Sequence, residues 1–165
     1  MIVAWTGHRP DLFDEPFAAE AAVNAVAHDL ARTHPELHFV VGGQRGVDTW
    51  AARAAIALWT PLTLILPCEP AEFARDWADE DRNALETILA RAADVRVVGG
   101  HPQQAFTERN RLLVADANLL VAVWTGVTGG GTAETIAFAC ANGTPLREVL
   151  LTPAPGADLA RGRGV

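Results

Sequence analysis

The feature that most constrains this chain is a regular alternation: short apolar runs, each closed by a turn residue, alternate with amphipathic stretches of helical spacing. The runs are 2–5, 38–41, 62–66, 95–98, 119–124 and 145–151. Between them, helical patterns are predicted over about 16–33, 47–58, 79–92, 102–116 and from the 129–131 glycines to Asn142-Gly143, with a short helix or turn at 70–75. Apolar runs without strict alternation are buried on both faces, and helices between them imply parallel pairing. The predicted fold class is therefore α/β: a Rossmann-like, doubly wound, mainly parallel sheet of five to six strands with helices on both faces. A single domain over 1–152 is expected, followed by a disordered tail over 153–165 rich in Pro, Gly and Arg.

The 165 residues suit one domain, and half of them are hydrophobic. A formal net charge of −7 argues against general nucleic-acid binding, which needs a basic footprint. Cys68 and Cys140 are far apart and form no CxxC pair, so no metal site and no redox motif are expected. The start MIVAWTGHRP has neither a basic segment nor a long apolar one, so a cytoplasmic protein without a membrane span is expected.

In such sheets ligands bind beyond the carboxyl ends of the strands. Three turns there have unusual composition. In Thr6-Gly7-His8-Arg9-Pro10, Gly7 allows close backbone approach and Arg9 offers a forked donor for phosphate or carboxylate, with His8 between them. In the second turn, Gly42, Gly43 and Gly46 surround Arg45 and precede Asp48. Rows of amides at a helix N-terminus form an anion site, while Asp48 suits a helix cap or a ribose hydroxyl contact. The third turn carries Gly129, Gly130 and Gly131 before Thr132 and Glu134, again a phosphate cradle with a hydroxyl donor. Glu134 suits the helix dipole as well as it suits catalysis. None of the turns has the GxGxxG or GxxxxGK[ST] spacing, so neither an NAD nor a P-loop reading is supported. No bound cofactor is expected.

The ordered set of motifs resembles the SLOG superfamily, the Rossmann-like group of DNA-processing protein A and the Lonely Guy proteins. Residues 40–53, VVGGQRGVDTWAAR, look like the GGxxGxDxxA segment of its DNA-processing and YpsA-like branches. The opening 6–10 segment, the triplet Glu108-Arg109-Asn110 and the later Gly-Gly-Thr complete a resemblance over roughly residues 2 to 150. It implies a pocket for nucleotides or their derivatives at the carboxyl edge of the sheet. Through the Lonely Guy branch it further implies hydrolysis of the N-glycosidic bond of a nucleoside 5′-monophosphate, with Glu134 and Arg109 as catalytic residues and Asn110 beside the ligand. Against the PGGxGTxxE motif, Val127 stands at the Pro, Thr128 at the first Gly and Thr135 at the final Glu. Glu134 thus lies one residue early, about 100° around the helix. Arg109 is expected to face an anion on the amides of Gly130, Gly131 and Thr132. The alternative is a non-enzymatic nucleotide sensor or a single-stranded DNA-binding protein. Family members often pair through helices, and Trp50, Trp59 and Trp77 exceed what one small core needs, so a homodimer is also expected.

Overall fold

In the computed structural model, residues 1–157 are described, and the part of the expected tail over 158–165 lies outside them. Six strands form one sheet: β1 (Ile2–Gly7), β2 (His38–Val41), β3 (Leu62–Leu66), β4 (Asp94–Val97), β5 (Leu119–Trp124) and β6 (Leu146–Leu150). Their order is β4-β3-β2-β1-β5-β6, every pair parallel. The helices are α1 (Pro16–Thr33), α2 (Val47–Ala57), the single turn α3 (Pro70–Phe73), α4 (Asp79–Arg91), α5 (Pro102–Ala115) and α6 (Gly130–Asn142). This is the doubly wound sheet that the alternation predicts.

Alternate residues of β1, β2, β3 and β5 enter two separate cores. Val3, Trp5, Phe39, Val41, Leu64, Val121 and Val123 pack with α1, α2 and α4. Ala4, Val40, Ile65 and Leu120 pack instead with Leu113 and Val114 of α5 and Ala139 of α6. Because side chains alternate across a strand, a run buried on both faces must be apolar throughout. β4, by contrast, is exposed along its length and forms one sheet edge.

The chain builds β1 to β4 in one direction, then α5 crosses back so that β5 enters beside β1. That reversal opens a crevice between the carboxyl ends of β1 and β5. Trp50 is buried, Trp77 meets Phe73 edge-on, and Trp59 is 87% exposed. Trp59 is also the one non-glycine residue with positive φ (55°) among the described residues. Pro153, within the expected tail, bridges to Phe13, and the Ala154 amide donates to the Leu12 carbonyl. No helix among the described residues is long and apolar enough to cross a membrane.

Candidate functional site

The first turn is stitched into the crevice through its backbone. The His8 amide donates to the Val123 carbonyl, and the Val47 amide donates to the His8 carbonyl, each at 3.3 Å. The His8 ring lies between the two ends of the third turn: Nε2 is 3.1 Å from Thr125 Oγ1 and Nδ1 is 3.4 Å from Thr132 Oγ1. Burial pushes this imidazole down to about 4, and the neighbouring Arg9 charge adds to the shift. His8 is therefore neutral at pH 7, one nitrogen donating and the other accepting.

The second turn closes around a buried ion pair. Arg109 Nη1 lies 3.5 Å from Asp48 Oδ2, with both side chains less than a tenth exposed. Asp48 Oδ2 also accepts from the Gln44 amide at 3.1 Å. Burial pushes the Asp48 carboxyl up to about 6, with the Arg109 charge and the Gln44 and Gly42 amides opposing that rise. A Cβ on Gly42 would stand 1.6 Å from Arg109 Nη1, so only glycine lets the guanidinium cross the end of β2. Arg109 also sits over the Phe106 ring at 5.8 Å, and its buried Nε has no partner in the structure.

The guanidinium is thus turned to Gly42 and Asp48. Its neighbour Asn110 reaches α6 instead: Asn110 Nδ2 donates to Glu134 Oε2 at 2.8 Å. Thr107 Oγ1 donates to Glu134 Oε1 at 3.1 Å. Both carboxylate oxygens are therefore fixed from α5, and Glu134 is close enough for its charge to support that of Arg109. Gly131 lies beside this cluster, where a Cβ would stand 3.5 Å from Asn110 Nδ2. No side chain caps α6 at Gly129, whose φ is 120°. The first amides of a helix have no intrahelical acceptor.

The remaining arginines of the rim have acidic partners. Arg9 lies 3.7 Å from Asp11, and Arg45 lies 3.5 Å from Asp81 with its guanidinium over Trp77. Gly43 and Gly46 both take positive φ, and a Cβ on Gly46 would stand 2.4 Å from the His8 carbonyl oxygen. The structure therefore gathers Gly7, His8, Thr132, Glu134 and Asn110 on one side of the crevice, with Gly42, Asp48 and Arg109 on the other. Arg9 and Arg45 turn outward to surface acids. Thr107 and Thr125 join the site without having been singled out from the sequence. Thr107 precedes Asn110 by three residues, a spacing that shares a helix face and was a usable signal.

Neither a protein-family model nor a curated protein matches this chain. Solved structures do. DNA processing protein A from Helicobacter pylori, described for its single-stranded DNA binding mode, superposes with a TM-score of 0.66 at 20% identity, over 90% of this chain and 64% of that one. DNA processing protein A (DprA) from Streptococcus pneumoniae gives 0.67 at 20% identity, over 97% and 53%. The structural-genomics target TM1055 gives 0.61 at 19% identity, over 88% and 71%. The chain spans only 64% and 53% of the two DNA-processing structures. Through six parallel strands and their crossover, the chain shares the Rossmann-like fold of DNA processing protein A.

Proposed function

We propose that this chain binds a nucleotide-derived phosphate ligand across the β1–β5 crevice. The observation that carries this reading is the uncapped N-terminus of α6 beside Glu134, whose two oxygens are both held from α5. Free amides at a helix start attract an anion, and a fixed carboxylate one turn away accepts sugar hydroxyls. The buried Arg109–Asp48 pair forms a rigid wall on the other side. In the hydrolytic form of this reading, the C1′–N bond breaks while water adds at C1′, and the base leaves with the bonding electron pair and receives the proton that the water gives up through Glu134. Glu134 would stabilise the oxocarbenium-like sugar and take the proton of the attacking water.

Calorimetric titration of the full chain with a panel of nucleoside 5′-monophosphates tests the binding, and chromatography of the same mixtures tests for free base. No heat from any monophosphate would overturn the proposal. Base release abolished by Glu134→Ala would assign the hydrolysis. A second reading, single-stranded DNA binding, is favoured by the fold shared with a protein described for that activity. The net charge of −7 opposes it. A mobility shift with single-stranded DNA at physiological ionic strength decides between them.

A further inference from the structure

Beyond the crevice, at the carboxyl ends of β3 and β4, lies a cavity of about 150 Å³ that neither turn chemistry nor the proposed phosphate site uses. Pro67, Val97 and Phe106 make it apolar, Cys68 opens into it, and Glu69 and Glu72 stand at its border. Phe106 links it to the crevice, because the same ring carries the Arg109 guanidinium at 5.8 Å. Phe73 backs that ring at 6.1 Å. The linking guanidinium is buried, and its Nε has no hydrogen-bond partner.

We propose that this cavity is the base subsite of the nucleotide, taking an aromatic heterocycle that carries an exocyclic amine. The proposal rests on the phosphate reading above for the other end of the ligand. Three physical arguments support it. A cavity of about 150 Å³ is the size that holds a single six-membered ring, so it takes a base or its leading ring and not a whole nucleotide. An aromatic wall stacks on any base and gains little from a phosphate. Two carboxylates at the border accept hydrogen bonds from N–H groups and repel anions, which fixes the direction of the ligand. The phosphate then belongs at α6 and the base at β3–β4, with the sugar passing Arg109. Adenine and cytosine present an amine to such a border, whereas uracil presents a carbonyl oxygen in its place.

Thiol alkylation reads this directly, because Cys68 and Cys140 are both free and only Cys68 lines the cavity. Burial and the Glu72 and Glu69 charges raise the Cys68 thiol pKa, so labelling is best followed at mildly alkaline pH. Adenosine at ten times its Kd should slow Cys68 labelling about tenfold and leave Cys140 unchanged. Uridine should protect much less, and Glu69→Gln with Glu72→Gln should erase that preference. Cys68→Trp should abolish adenosine binding in calorimetry. If that variant does not fold, the protection measurement on the unaltered chain still decides. Equal labelling with and without adenosine overturns the proposal, as does uridine protecting as well as adenosine. Ribose 5-phosphate separates the two readings. Its binding without any adenosine protection keeps the phosphate site and removes the base subsite. Adenosine protection with no ribose 5-phosphate binding does the reverse.

Discussion

Along the rim, the side where β2 meets α5 is crowded, whereas the side built from the turn after β5 is open. At Gly42 a Cβ would collide with the Arg109 guanidinium at 1.6 Å and with its Cζ at 2.7 Å. At Gly129 a Cβ would meet nothing within 4 Å, and only the φ of 120° calls for glycine. One side is thus fixed by packing around a buried ion pair, and the other by backbone conformation with space left above it. Preorganised charge next to vacant amides is a division of labour suited to anchoring one part of a ligand while another part settles.

If the crowded side is held by its ion pair, the largest effect belongs to Arg109→Ala. It strands a buried carboxylate, and stability should fall by about 3–5 kcal/mol in chemical denaturation at pH 8. The loss should shrink at pH 5, where Asp48, with its pKa near 6, takes a proton and no longer needs a partner. An unchanged denaturation midpoint at pH 8 would remove the ion pair from the comparison.

Gly42→Ala comes next. Its methyl group must displace the guanidinium, an overpacking cost of about 1–3 kcal/mol. Arg109→Ala in the same chain should relieve part of that cost, and a double-mutant cycle showing plain additivity would refute the contact.

The third prediction sets the two titrating groups against each other. Asp48 is raised from 3.8 to about 6 in the folded chain, so its contribution is fully present below about 3.8 and is lost as pH rises through 6. His8 is lowered from 6.5 to about 4, so its contribution is present above 6.5 and is lost as pH falls towards 4. Between pH 4 and 6 the two slopes oppose. His8→Gln keeps polar atoms near both threonines and removes one slope. Relative to the unaltered chain, its stability should then decline with rising pH in this window, by up to about 1.4 kcal/mol per pH unit. A variant parallel to the parent would show that His8 is not held neutral.

The smallest effect is expected on the open side. Gly129→Ala should cost about 1 kcal/mol through its backbone conformation alone, with no clash against a neighbouring residue. Thermal unfolding checks this, and a loss as large as that of Gly42→Ala would erase the contrast.

Much of this architecture is legible in the sequence, because apolar runs and turn residues act locally. The run 119–124 coincides with β5, and Asn142-Gly143 ends α6, Gly143 taking φ 70° as a C-terminal stop. Local patterns do not say which side chains meet across the crossover. Whether Arg109 turns to Gly42 or to Gly131 depends on where α5 passes over the sheet. The ring of Phe106 carries no sequence mark separating a core residue from a cavity wall. Trp59 shows the same limit. It occupies the left-handed position after α2, where the Thr60 amide donates to the Ala55 carbonyl, a place that favours glycine.

The return of the chain across the sheet has a further consequence for how the molecule could be divided. Residues up to Val97 supply β1 to β4 and the ion-paired Asp48, while the later residues supply Arg109, Glu134 and the α6 turn. Gly99 and Gly100, between them, have nothing near the positions a Cβ would take. A chain severed at this point would yield two fragments, the first holding Cys68, Glu69 and Glu72 of the proposed base subsite and the second holding Phe106, Arg109, Glu134 and the α6 amides. The second fragment must insert β5 against the free side of β1 to reunite these groups. Ligand binding would then report reassembly, making this connection a natural seam for a split reporter.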